Sequence, residues 1–282
     1  DLYNAVSGNN LTLNYLGEPL CNAKLSGLSR SNLLPYFTDE TRTNLSSDLP
    51  FCFCDDTLTG DMTLPKDYTC PVNGITIGAN DITLDCAGYS LTGAGSSIAI
   101  SISGRTNVTI KNCVMTNFQY GIVIDTSTYN NITNNTADLN TYGIYMNPGA
   151  DSNNITNNTV SNSYDTGFYF NSGSGNAVNF NKVYGNVNYD LYNSGSGNNF
   201  SLNYWGNVTY CNNTIIGIAQ DDMLPFYTDE GMTTLQSTPD FCACGATITE
   251  DRTLTKDYTC PGNGIIIGAE SITLDCDGHS IT

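Results

Sequence analysis

Between Asn107 and Gly206 the chain alternates apolar and polar residues in short bursts, and the bursts return in cycles. "NVTIKNC" begins at Asn107, "NITNNTA" at Asn131, "NITNNTV" at Asn154, "NAVNFNK" at Asn176 and "NFSLNYW" at Asn199, in steps of 22 to 24 residues. Between them lie "GIVI" at Gly121, "GIYM" at Gly143, "GFYF" at Gly167 and the weaker "YDLY" at Tyr189. Each cycle carries two or three alternations of period two, the signature of a half-buried strand. Asn, Gly and Ser separate them, and Asn and Gly tolerate the left-handed backbone of a sharp corner.

Strands this short, recurring at this interval, do not pair regularly as hairpins. They pair with their equivalents one cycle later. The expected fold is therefore all-β: a coil of parallel strands, or β-solenoid, with inward residues stacked in ladders. Ile122 and Ile124 should lie over Ile144 and Met146, then over Phe168 and Phe170. Asn side chains at successive corners should hydrogen-bond along the axis, with a rise of about 4.8 Å per coil.

A longer period encloses the short one. "FCFCDDTLTGDMTLPKDYTCPVNGITIGANDITLDCAGYSLT" (51–92) aligns without gaps on "FCACGATITEDRTLTKDYTCPGNGIIIGAESITLDCDGHSIT" (241–282), with well over half the positions identical. Upstream, "LPYFTDE" at Leu34 returns as "LPFYTDE" at Leu224, and "DLYNAVSGNNLTLNYLG" at Asp1 returns as "DLYNSGSGNNFSLNYWG" at Asp190. The unit is about 190 residues, present in roughly one and a half copies. The expected organisation is the end of one module plus a connector over 1–53, a complete module over 54–243, and the start of a third over 244–282. Within the complete module, 54–206 is expected to be the β-helix and 207–243 a connector that caps its open strand edges.

The run "GITIGANDITLDCAGYSLTG…NVTIKNCVMTNFQYGIVI", the Asn-rich cycles and the closing "NYWGN" resemble the right-handed parallel β-helix repeats of NosD-type and related archaeal surface proteins. The resemblance covers roughly 54–206 and restarts at Cys244. It implies a right-handed parallel β-helix in a secreted, archaeal surface protein, and says little about activity, because that helix carries pectinases, lyases, adhesins and inert stalks alike.

Composition narrows the setting. Hydrophobic residues make up 39% of the chain, enough for a core, while only 13% are charged. The net charge of −18 arises from 27 Asp and Glu against 9 Lys and Arg. Such a surface repels phosphate backbones, so no nucleic-acid partner is expected. No apolar run approaches the roughly 20 residues that span a bilayer. No signal peptide heads the sequence, so a mature or excised segment is expected.

Eleven cysteines fit the repeat. One unit holds six, at Cys21, Cys52, Cys54, Cys70, Cys86 and Cys113, and the next shows five, at Cys211, Cys242, Cys244, Cys260 and Cys276. Six per unit suits three disulfides in an oxidising compartment; a zinc site is the alternative, although C-x-C spacing and a single histidine, His279, suit it poorly. Cys52 and Cys54 share a strand face and are too extended to bridge each other. The expected pairs are Cys54–Cys70, Cys21–Cys52 and the rung bridge Cys86–Cys113, with Cys244–Cys260 and Cys211–Cys242 in the second copy. Cys276 is left unpaired or bonded between modules. Ten N-x-[ST] sequons, at Asn10, Asn44, Asn107, Asn131, Asn134, Asn154, Asn157, Asn199, Asn207 and Asn212, add to the picture of a secreted glycoprotein carrying covalent N-glycans.

Candidate chemistry is sparse. Asp125, Asp138, Asp165 and Asp190 fall in different cycles without a shared stripe, and read as solvated turn acids. Arg105, Lys111 and Lys182 are the few bases nearby. The two copies replace His279 by Tyr89, Gly245 and Ala246 by Asp55 and Asp56, and Trp205 by Leu16, so none of these is required by the unit. Asp39/Glu40 with Asp229/Glu230, and Lys66/Asp67 with Lys256/Asp257, are kept; they suggest either a cation site, a contact between bodies, or turns closed by local ion pairs. No cofactor, metal or catalytic residue is expected. The expectation is a structural subunit of an extracellular filament, sheath or cell-surface coat, whose partners are identical copies or adjacent modules joined head to tail. The alternatives are a carbohydrate-binding adhesin stalk, if Tyr120, Tyr145 and Tyr169 face outward, and a polysaccharide lyase or hydrolase, if three acids and a base converge.

Overall fold

The computed structural model describes residues 54–206, 215–218, 223–237, 247–254, 257, 258, 260 and 264–282, together with the strands Leu2–Tyr3, Leu25–Ser26, Tyr36–Phe37 and Leu45–Ser46. Among these residues there are strands of two to six residues and no helix. Three parallel sheets form the walls of a β-solenoid. A long sheet of eight strands runs from Asp56–Leu58 to Ile215–Ile216, and two sheets of six run from Met62–Thr63 to Ala177–Asn179 and from Tyr68–Thr69 to Lys182–Tyr184.

Register follows the hydrophobic alternation. In the long sheet Ile122 pairs with Ile144 and then Phe168, and Ile124 with Met146 and then Phe170, all fully buried. The second sheet stacks Leu84, Ile110, Ile132, Ile155 and Val178 inward. The third stacks Leu91, Met115, Ala137, Val160 and Val183. Because the side-chain period is two, a slip of one residue would turn each column out to solvent, which fixes the register. Towards the last coils Phe168 and Phe170 meet Phe200 and Trp205 edge to face, so Trp205 serves packing, as its replacement by Leu16 suggests.

The corners are held by buried asparagines. Two continuous columns run along the axis, Asn130–Asn153–Asn176–Asn198 and Asn135–Asn158–Asn181–Asn203. Each amide is used on both sides. The Oδ1 of Asn158 accepts from the backbone N–H of Asn135 at 2.9 Å and from its Nδ2 at 3.0 Å, while the Nδ2 of Asn158 donates to the Ile132 carbonyl at 2.8 Å and to Asn181 Oδ1 at 3.0 Å. A corner must turn backbone amides away from the sheet ladder, and those groups cost free energy unless paired inside. Asparagine supplies both a donor and an acceptor in one short side chain.

The columns explain a spacing of five. Asn130, Asn135 and Asn140 point inward; Tyr129, Asn134 and Leu139, one residue earlier, take left-handed backbone at φ 57°, 55° and 54°. They also explain two glycines. A Cβ at Gly121 would stand 3.3 Å from Asn140 Nδ2 and 2.5 Å from the Gly143 carbonyl oxygen, and one at Gly167 would stand 2.7 Å from Asn186 Nδ2. The third column, Asn140–Ser163–Asn186, is interrupted at Ser163, whose buried Oγ has no partner.

Past the expected end of the β-helix at 206 the stacking continues. Ile215–Ile216 adds to the long sheet by pairing with Leu191 and Tyr192, and Tyr204 bridges Tyr227 in parallel. An antiparallel pair, Phe226–Tyr227 with Leu235–Gln236, follows. The rhythm that the sequence loses at 207 therefore persists as register, because Ile215 and Tyr227 still fall 23 to 24 positions after their partners.

The long repeat is a structural repeat. Thr57↔Thr76 and Leu58↔Ile77 return as Thr247↔Ile266 and Ile248↔Ile267, each 190 positions on. Met62↔Leu84 and Thr63↔Asp85 return as Arg252↔Leu274 and Thr253↔Asp275. In the connector, Tyr36↔Ser46 and Phe37↔Leu45 return as Phe226↔Gln236 and Tyr227↔Leu235.

Replacing the middle rung, Asn158→Ala, strands the Asn135 N–H and amide and should lower unfolding stability by about 2–4 kcal/mol. Ser163→Asn completes the broken column and should raise it by about 1 kcal/mol. Urea midpoints at unchanged m-value measure both.

Candidate functional site

The outer face of the long sheet carries the largest group of side chains with any chemistry. Two outward columns meet there. One holds Tyr120 and Tyr142; the other holds Val123, Tyr145, Tyr169 and Tyr192. All five tyrosines are half-buried. Tyr145, Tyr169 and Tyr192 are stacked with ring centroids 4.8 and 4.6 Å apart and planes within 11° of parallel, and Tyr120 stacks on Tyr142 at 5.2 Å. The two stacks meet edge to face at 5.1 to 5.5 Å.

The stacking decides what the stripe can do. Sugar rings bind tyrosine through the ring face. Here Tyr169 has both faces covered by Tyr145 and Tyr192, while Tyr120 and Tyr142 cover one face of each other. Tyr120, Tyr145 and Tyr169 do face outward, the condition set for an adhesin stalk, but stacking on one another leaves less ring face open to a sugar. At the rim Tyr142 Oη donates to Asp165 Oδ2 at 2.9 Å. Burial, and then that hydrogen bond, push the Tyr142 phenol up to about 12. Burial followed by neighbouring phenols raises Tyr145 and Tyr169.

The acids do not converge. Asp125 accepts from Ser103 and Thr126, Asp138 from Ser161 and Asn162, and Asp165 from Tyr142, Thr166 and Asn188. Asp190 is not a solvated turn acid: it is 2% exposed and accepts from Asn186 Nδ2 at 2.8 Å. It occupies the column filled by Gly121, Gly143 and Gly167 in earlier coils, where a side chain can only point inward.

Three of the acids kept between copies, Asp67, Asp257 and Asp229, clamp the backbone. Asp67 Oδ1 accepts from Ser90 N and Oγ at 2.7 and 2.9 Å, and Asp257 repeats this with Ser280 at 2.7 and 3.0 Å. The backbone N–H of the serine is the first cause that lowers each carboxyl below its ordinary value. Lys66 instead lies over the Tyr68 ring, 5.6 Å from its centroid. Asp229 accepts from the backbone of Thr233 and Thr234, closing the turn between the antiparallel strands. Asp39, Glu40 and Lys256 lie outside the described residues.

Two disulfides stand as expected, Cys54–Cys70 and Cys86–Cys113, the second joining neighbouring coils. Cys260 is also disulfide-bonded, while Cys276 is a free, exposed thiol. Cys21, Cys52, Cys211, Cys242 and Cys244 lie outside the described residues. These bridges overturn the zinc alternative at the positions they occupy, since an oxidised cystine offers no thiolate. Of the sequons, Asn107, Asn134, Asn154, Asn157 and Asn199 are exposed and Asn131 is half-buried. Asn10, Asn44, Asn207 and Asn212 lie outside the described residues.

A model of the family described as periplasmic copper-binding protein (NosD) matches residues 61–219, more than half of the chain and almost the whole solenoid. The chain belongs to the NosD family. Neither the curated proteins nor the solved structures give a match. This NosD-family solenoid, with its disulfides, belongs to an oxidising compartment outside the cytoplasm.

Copper would ask for imidazole, thiolate or thioether donors gathered together. The described residues do not fit it. The single histidine, His279, lies 3.7 Å from Asp257, with no other metal-ligating side chain gathered there among the described residues. The thioethers of Met115, Met146 and Met223 are sealed in the apolar core. Among the described residues no three His, Cys, Asp or Glu stand together.

The tyrosine stripe makes an alkaline prediction. The Tyr142 phenol is raised in the folded protein, so its contribution to stability is complete below the ordinary tyrosine range and is lost as pH climbs towards about 12. Absorbance titration of phenolate should show a late-titrating group of tyrosines with Tyr142 among them, and Asp165→Asn should bring Tyr142 earlier.

Proposed function

We propose that this NosD-family chain is a structural module of an extracellular filament, sheath or cell-surface coat, built from β-solenoid units in series. One observation carries the reading: the strands Thr247–Ile248, Arg252–Thr253, Ile266–Ile267 and Leu274–Asp275 repeat the first pairings of the solenoid 190 positions on. A sequence that rebuilds the same start 190 positions on is a sequence for a series. What the two copies share is scaffold: cysteines, inward apolar residues, and the Asp67 and Asp257 clamps.

The mechanism is mechanical. Parallel ladders and asparagine columns resist bending because each coil is bonded to the next over its whole perimeter. Disulfides limit unravelling by restricting the unfolded chain. The −18 charge keeps lateral association weak at low salt and lets shape decide the contacts. Asp125, Asp138 and Asp165 are each bonded to neighbouring hydroxyls and amides rather than gathered in one groove, and the long-sheet tyrosines stack on one another, so neither alternative is favoured by this face.

Electron microscopy of the native material tests the reading. Eight coils at about 4.8 Å give an axial repeat of roughly 40 Å per module plus its connector, and fibres or sheets with that repeat are expected. Monodisperse particles that cleave polyuronides would overturn it.

A further inference from the structure

One corner of the solenoid carries an unexplained residue. The register places Asn112, Asn134, Asn157, Phe180 and Leu202 on one ridge, each a coil after the last. All five have left-handed backbone, with φ between 55° and 59°. Asparagine accepts this conformation. Phenylalanine does not, since its Cβ crowds the carbonyl oxygen. Yet Phe180 sits there at φ 58° with 40% of its surface exposed, outside the core cluster and without a ring partner among the described residues. A strained, solvent-exposed aromatic is not a residue that local folding favours; Tyr129, at φ 57° on another corner, shares this conformation.

Its neighbour one coil back is a sequon. Asn157-Asn158-Thr159 divides its residues cleanly: Asn158 enters the buried column, Thr159 faces outward on the strand, and Asn157 projects from the corner, exposed. Among the described residues no hydrogen bond engages the Asn157 amide. The other exposed or half-buried sequon amides differ: Asn107 Nδ2 is bonded to Asp81, Asn154 Nδ2 to Asn131 Oδ1, and Asn199 Oδ1 accepts from Ser201. Asn134 shares the free geometry, but its neighbours on the ridge are Asn112 and Asn157, with no aromatic ring.

We propose that Asn157 is an N-glycan attachment site and that Phe180 is the ring against which the first sugar of that glycan packs. One coil, about 4.8 Å, separates the two, comparable to the width of one sugar ring. A glycan leaving Asn157 along the axis therefore lays its C–H face on Phe180. Unlike Tyr169, which is stacked on both sides, Phe180 has no ring partner among the described residues and is 40% exposed. The packing accounts for keeping a bulky apolar residue where the backbone favours asparagine. This deepens the reading of the chain as an extracellular coat component and rests on its export to a glycosylating compartment. Filament formation does not depend on it, so the two can fail separately.

The test uses the full chain secreted from a glycosylating eukaryotic culture, with glycopeptide mass spectrometry and thermal midpoints. Four proteins form a cycle: the parent, Phe180→Asn, Thr159→Val, which removes the sequon while keeping a β-branched strand residue, and the double variant. Thr159→Ser keeps the sequon and controls for the substitution. Asn157 should carry glycan in the parent and in Thr159→Ser. With glycan present, Phe180→Asn should lower the midpoint by about 2 °C; without it, the same change should raise the midpoint, because asparagine relieves the backbone. An unmodified Asn157, or a Phe180→Asn effect of the same sign in both backgrounds, would overturn the proposal.

Discussion

The structure depends on what happens to backbone amides at the corners of a coil. A solenoid of this width turns three times per coil, and at each turn peptide groups leave the sheet ladder while still inside the wall. The asparagine columns receive them. The inner rungs Asn153, Asn176, Asn158 and Asn181 each take a backbone N–H and a neighbouring amide on one oxygen, and return two protons to a backbone carbonyl and to the next rung. The apolar columns would drive collapse of any alternating sequence. The amide columns decide that it collapses into coils with sharp corners at fixed positions.

Once the corners are fixed, much else follows. Left-handed residues precede each column asparagine, which favours Asn or Gly there and leaves Tyr129, Leu139, Ser152, Phe180 and Leu202 as exceptions under strain. Glycine is required at Gly121 and Gly167 because an inward amide approaches the backbone. Outward positions fall into straight columns one coil apart, so tyrosines at Tyr145, Tyr169 and Tyr192 stack on one another rather than on a ligand. The regularity that builds the scaffold also consumes the surface that recognition would use.

The coil and its inward register were legible in the sequence because alternation at period two and recurrence near 23 residues leave one pairing that buries every apolar column. The two disulfides followed from cysteine positions one coil or less apart. The spacing of five between Asn130, Asn135 and Asn140 was also present, but it is masked by outward asparagines such as Asn131 and Asn134, which look the same in one dimension. Asp190 was misjudged because its role comes from the column it joins, not from its neighbours in sequence. Asp67 and Asp257 were recognised as kept, yet their partners are serine backbones 23 residues away, beyond any local ion-pair reasoning. The strand Ile215–Ile216 follows an irregular segment and shows only through pairing. Membership of the NosD family is carried by the scaffold, and no donor set for copper accompanies it among the described residues.

Native-state hydrogen exchange of the amides that donate into the columns tests this account most directly. The backbone N–H groups of Cys113, Asn135, Asn158 and Asn181 each end on an asparagine Oδ1 in the next coil. If the columns hold the corners, these amides exchange only through global unfolding, as slowly as the central strand amides. Exchange many-fold faster than the strands, through local opening of the corners, would show that the apolar ladders carry the fold and the amides merely accompany it.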